Sequence, residues 1–156
     1  MSRLLELLVF VPAMIATNTP FPLPSDAVLL AFAGGREPAL AIVFATVGAI
    51  CAGIGGLVEL RLASAIVAHR EPVRRGFYGL VVLGAALPIP FTTIRLLLLR
   101  SAPRPAAYAS AIAIGRYPRY LAEAFLVAQF ATPAWLSVAS IAGALIVLAI
   151  YRWRRR

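Results

Sequence analysis

Two proline-dense segments interrupt an otherwise apolar chain. Thr19-Pro20-Phe21-Pro22-Leu23-Pro24-Ser25-Asp26 and Leu87-Pro88-Ile89-Pro90-Phe91-Thr92-Thr93-Ile94-Arg95 lie 66 positions apart, Pro22 against Pro88. Each is followed by an apolar run, and each holds one charge, acidic in the first and basic in the second. Proline at that density removes amide donors and cannot continue a helix. The chain of 156 residues is 62% hydrophobic and 13% charged, with a mean hydropathy of +0.89 and apolar residues along its whole length. That pattern excludes a soluble domain on a single anchor and predicts an integral membrane protein. Broken backbone at membrane depth is tolerated only where protein buries it or it lines a cavity. The matched breaks at Pro22/Pro24 and Pro88/Pro90 therefore predict a site as well as a bundle.

The net charge of +9 comes from fifteen arginines and no lysine. They are dispersed between apolar runs and clustered at one tail, with no soluble domain to present them. Anionic lipid headgroups are thus the expected partners, and nucleic acid is not. Cys51 is the single cysteine, cannot form an internal disulfide, and reads as a small packing residue. His69 sits in a basic loop without a cysteine or acidic cluster, so no metal is expected. No serine–histidine–acid constellation, phosphate-binding loop or redox motif is present, and neither an enzyme nor a cofactor is predicted. The N-terminus has the look of a signal peptide but lacks a small-x-small cleavage site before the prolines, and reads as a retained first helix.

Along the chain, residues 4–16 form a short helix kinked or ended near Pro12, 18–24 are broken backbone, and 27–32 return toward the same side. Gly34-Gly35-Arg36-Glu37-Pro38 makes a polar turn. Residues 39–68 are the longest helical candidate, with a small-residue face of Gly48, Ala52, Gly53, Gly55 and Gly56 suited to close packing. Residues 77–87 enter the membrane, the second break follows, and 94–99 exit. Residues 106–130 form one further segment, 133–151 the cleanest span, and 152–156 a basic tail beside Trp153. The predicted fold is a single all-α membrane domain with about four transmembrane helices and two opposed re-entrant hairpins. The positive-inside rule places the arginine clusters, Arg3 and both termini in the cytoplasm and leaves Arg36 outside. The hairpins then enter from opposite faces and meet near the midplane, as in inverted-repeat transporters.

Pro22-x-Pro24-Ser25-Asp26, the glycine-rich helix of residues 48–56, Pro88-x-Pro90 and Ile114-Gly115-Arg116-x-x-Arg119-Tyr120 occur in that order and resemble the DedA family of bacterial inner-membrane proteins, whose domain recurs in eukaryotic VTT-type lipid scramblases. The resemblance covers about residues 18–126. It implies two opposed re-entrant hairpins and movement of lipid across the bilayer. In bacteria that lipid is the polyprenyl phosphate carrier, and coupling to the proton gradient is a further implication.

Asp26 in the first break is a candidate proton carrier or gate, since desolvation favours a neutral carboxyl; Ser25 or Asp26 as an N-cap is the plainer role. Arg95, after the second break, can hold a phosphate or carboxylate with its planar fork or snorkel to headgroups. Arg116, Arg119 and Glu123 share one helical stripe with a surplus positive charge suited to an anionic headgroup; alternatively Gly115 and Pro118 mark an interface turn that the group anchors. Glu59, with Arg61, is a further acid that can complete a network with that stripe or pair on its own turn. The expected function is transport of an anionic lipid, as flippase or scramblase, with Arg95, Arg116 and Arg119 binding and Asp26, Glu59 and Glu123 titrating or gating. A homodimer could enclose the lipid path. The alternative is a non-transporting scaffold that recruits partners through its small-residue helix faces.

Overall fold

A computed structural model describes residues 3–19, 25–67, 71–73, 76–87 and 101–129. Helices dominate: α1 (Arg3–Thr17), α2 (Ser25–Ala33), α3 (Pro38–Ile66), α4 (Phe77–Ala86) and α5 (Pro105–Gln129), with two-residue strands β1 (Glu71–Pro72) and β2 (Ser101–Ala102). The all-α prediction therefore holds, with a small strand pair added. Of the crossings expected, the described residues contain one helix long and apolar enough to cross a membrane, α3. The last expected span and the basic tail lie outside them.

Local chemistry accounts for the boundaries. Gly35 at φ 65° turns the chain after α2, and Pro38 opens α3 at a position where its missing N–H costs nothing. Gly76 at φ 88° precedes α4. Neither Pro12 nor Pro118 ends its helix, so α1 continues to Thr17 past the end considered near Pro12 and α5 continues to Gln129 through the interface turn considered at Pro118.

Helix α3, with 29 residues, is about 43 Å long and organises the rest. Helix α1 runs beside it in the same direction: the rings of Phe10 and Phe44 lie 4.9 Å apart, Met14 meets Gly48, and Asn18 meets Gly55. Phe32 of α2 closes the aromatic trio, 5.3 Å from Phe10. Helix α5 runs the opposite way, with Tyr120 at Gly48, Ala109 and Ala113 at Gly53, and Ile112 with Tyr108 at Gly56. A Cβ at Gly53 would stand 2.8 Å from the Ala109 carbonyl oxygen, and one at Gly55 2.8 Å from the Asn18 carbonyl oxygen. The glycine face is thus filled by α1 and α5 within the chain. It is buried inside the chain, whereas the scaffold alternative uses it as a surface for partners.

Two excursions leave α3 from its opposite ends. Arg36 donates to Glu6 at 2.9 Å, so the start of α1 and the turn after α2 share one end. Helices α1 and α2 therefore fold back on each other, at 15 and 9 residues each shorter than a membrane crossing. At the other end, β1 and β2 pair in parallel, Glu71 with Ser101 and Pro72 with Ala102. The chain that leaves at Pro72 is back beside it at Ser101.

Candidate functional site

The two excursions meet on one stretch of α5. Ser25 and Asp26 open α2, and both reach α5: Arg116 donates to the Ser25 hydroxyl at 3.4 Å and lies 3.8 Å from the Asp26 carboxylate, while Arg119 makes a close ion pair with Asp26. One residue before Arg116, Gly115 receives α4; any side chain there would collide with the Val82 carbonyl and Ala85. Glycine is required here because two helix backbones touch. Level with the Gly48 to Gly53 stretch of α3, the meeting point lies about 20 Å from either end of that helix.

Arg119 joins two carboxylates. Its Nε donates to Glu123 at 2.8 Å, one turn along α5, while its terminal nitrogen reaches Asp26 on α2, 93 positions away in sequence. Arg116, Arg119, Asp26 and Glu123 are all largely withdrawn from solvent, with side chains 16–32% exposed. The stripe of Arg116, Arg119 and Glu123 comes together as the spacing predicts, and Asp26 supplies the fourth charge. With two guanidiniums against two carboxylates the surplus positive charge expected of the stripe is cancelled. The Glu123 Oε2 atom is buried and has no hydrogen-bond partner among the described residues.

A polar buttress lies behind the cluster. Tyr120 is fully buried; its hydroxyl donates to the Asn18 side-chain oxygen at 3.4 Å, and the Asn18 amide donates to the Met14 carbonyl at 2.8 Å. The Arg116 guanidinium lies 5.7 Å from the centre of the Tyr120 ring. Sequence reasoning missed Asn18 and Tyr120 as site residues. Tyr120 was findable, since it follows Arg116 by one helical turn on the same stripe; nothing local singles out Asn18.

Glu59 does not join this cluster. It is buried on α3, where the Tyr108 hydroxyl donates to it at 3.4 Å, and Tyr108 precedes Arg116 on α5 by about 12 Å of helix. Arg61 is exposed. Pro22, Pro24, Pro88, Pro90, Arg95 and His69 lie outside the described residues.

Compared with known protein families, curated proteins and solved structures, the chain matches none.

Proposed function

We propose that this chain is a membrane-embedded transporter of an anionic lipid, acting as a flippase or scramblase of the kind its DedA/VTT resemblance implies. The observation that carries the proposal is the convergence of both excursions on a charged cluster at mid-length of the one span-length helix. Embedding is supported by the inverted distribution of side chains. Leu8, Ile50, Leu83, Ile114 and Leu126 are 55–63% exposed on four helices while four charges turn inward, the reverse of a soluble bundle.

The chemistry follows from competition. Arg116 and Arg119 stand one turn apart, and their forks match the oxygens of a phosphate headgroup. Asp26 occupies Arg119 when no lipid is present. A phosphate that displaces it would leave a carboxylate without a cation in a low-dielectric interior, which costs several kcal/mol unless it takes up a proton. Lipid entry and release of α2 from α5 are in this way a single event, and Glu123 keeps Arg119 in place throughout.

The test is leaflet exchange of a fluorescent phospholipid in vesicles holding the purified protein. Arg119→Gln is expected to abolish exchange, and Asp26→Asn to change its rate and its dependence on a proton gradient. Wild-type exchange in both variants, each verified as folded, would refute the reading.

A further inference from the structure

A second polar feature lies far from the cluster, at the end of the bundle closed by the β1–β2 pair. There a cavity of about 490 Å³ is lined by Pro72, Val73, Tyr78, Ala102, Arg104 and Ala107, within the roughly 300–1,000 Å³ of small-molecule sites. The backbone N–H of Arg104 donates to the Tyr78 hydroxyl at 3.0 Å, tying the start of α5 to α4 across the cavity. That bond fixes the backbone and leaves the exposed guanidinium of Arg104 available. No acidic side chain lines the cavity among the described residues. In sequence, the two segments that supply the lining, 69–78 and 100–107, carry five arginines against the one acid Glu71. The remaining walls are aliphatic.

Chemistry outside the cavity identifies the ligand as an amphiphile. Helix α4 leads away from Tyr78, and Leu80 and Leu83 on it, with Leu87 just past its end, are 46–59% exposed, an apolar stripe without a partner among the described residues that begins where the cavity ends. We propose that the cavity holds the headgroup of an anionic glycerophospholipid, its phosphate on Arg104 and its acyl chain along Leu80, Leu83 and Leu87. A zwitterionic headgroup would find no carboxylate for its ammonium. A free anion would have no use for the leucine stripe. The site lies about 18 Å of helix from Arg116, so it is separate from the cluster. It rests on the membrane-embedded reading but not on transport.

The experiment is native mass spectrometry of the full-length protein in detergent, titrated separately with phosphatidylglycerol, phosphatidylcholine and inorganic phosphate. A saturable phosphatidylglycerol adduct is expected, weakened about tenfold by Arg104→Gln, as for loss of a charge-assisted contact. Ala107→Trp, which fills the cavity without changing charge, is expected to weaken it as well. The titration is repeated in Arg119→Gln, where the adduct persists if the site is the cavity. Its disappearance there would overturn the assignment in favour of the cluster, leaving the transport reading intact. Equal binding of phosphatidylcholine, tighter binding of inorganic phosphate, or wild-type affinity in both Arg104→Gln and Ala107→Trp would also overturn it.

Discussion

Helix α5 makes two unlike contacts within a few turns. Toward α3 it forms a dry seam in which Ala109, Ile112 and Ala113 press on Gly53 and Gly56. Toward α2 it presents Arg116 and Arg119 to Asp26, with Glu123 holding an unfilled carboxylate oxygen. At Gly53 and Gly56 the seam leaves no room for a side chain, and the polar pair in it, Tyr108 with Glu59, is buried. The junction is built from charged partners on two helices. The two kinds of contact thus follow one another along one side of a single helix, the close-packed stretch at residues 109–113 and the charged stretch at 116–123.

The comparison requires first that the two ends of the bundle lie on opposite sides of a membrane. In a Cys51→Ala background, single cysteines at the exposed positions Glu37 and Glu71 are expected to react with an impermeant reagent from opposite faces, all or none. Reaction of both from one face would dissolve the distinction between the excursions. Next in size, Gly53→Leu should remove the folded protein from the monodisperse peak in size-exclusion chromatography, a loss of roughly 3 kcal/mol or more from overpacking against backbone. A Gly53→Leu protein with wild-type melting would mean that the seam is not close-packed there. Arg119→Gln strands Glu123 and leaves Asp26 only its longer contact with Arg116, and should cost roughly 2 kcal/mol of thermal stability, between exposed and buried pairs, while the protein remains folded. Glu6→Gln breaks the bond to Arg36 and should cost about 1 kcal/mol without affecting lipid exchange. Gly79→Ala is the smallest: nothing lies within 4 Å of a Cβ there, so melting should stay within about 1 kcal/mol of wild type, with any shift upward.

Much of this architecture was readable from residues in order. The expected helices at 27–32, 39–68, 77–87 and 106–130 match α2 to α5 within two residues at nearly every end, because prolines, glycines and charge clusters mark where an apolar helix must stop. The stripe of Arg116, Arg119 and Glu123 was readable for the same reason, since helical spacing is a local property. Three contacts were not. Asp26 with Arg119, Tyr120 with Asn18 and Glu6 with Arg36 join residues 93, 102 and 30 positions apart, and each is fixed by the packing direction of whole helices. Without the first, the stripe reads as an anion site with charge to spare; with it, the site is a neutral latch.

The parallel strand pair also orders events in time. Residues 71–72 cannot be clipped until residues 101–102 exist, and at about 5–20 residues per second the 28 intervening positions take about 1–6 s to synthesise. Helix α4 has to wait longer still for Gly115, its seat on α5. Ten residues long and exposing leucines, it is a nascent segment with neither partner nor length to stay in a bilayer alone. Docking of the second excursion is therefore governed from downstream: truncation before Gly115 would leave α4 without its seat on α5.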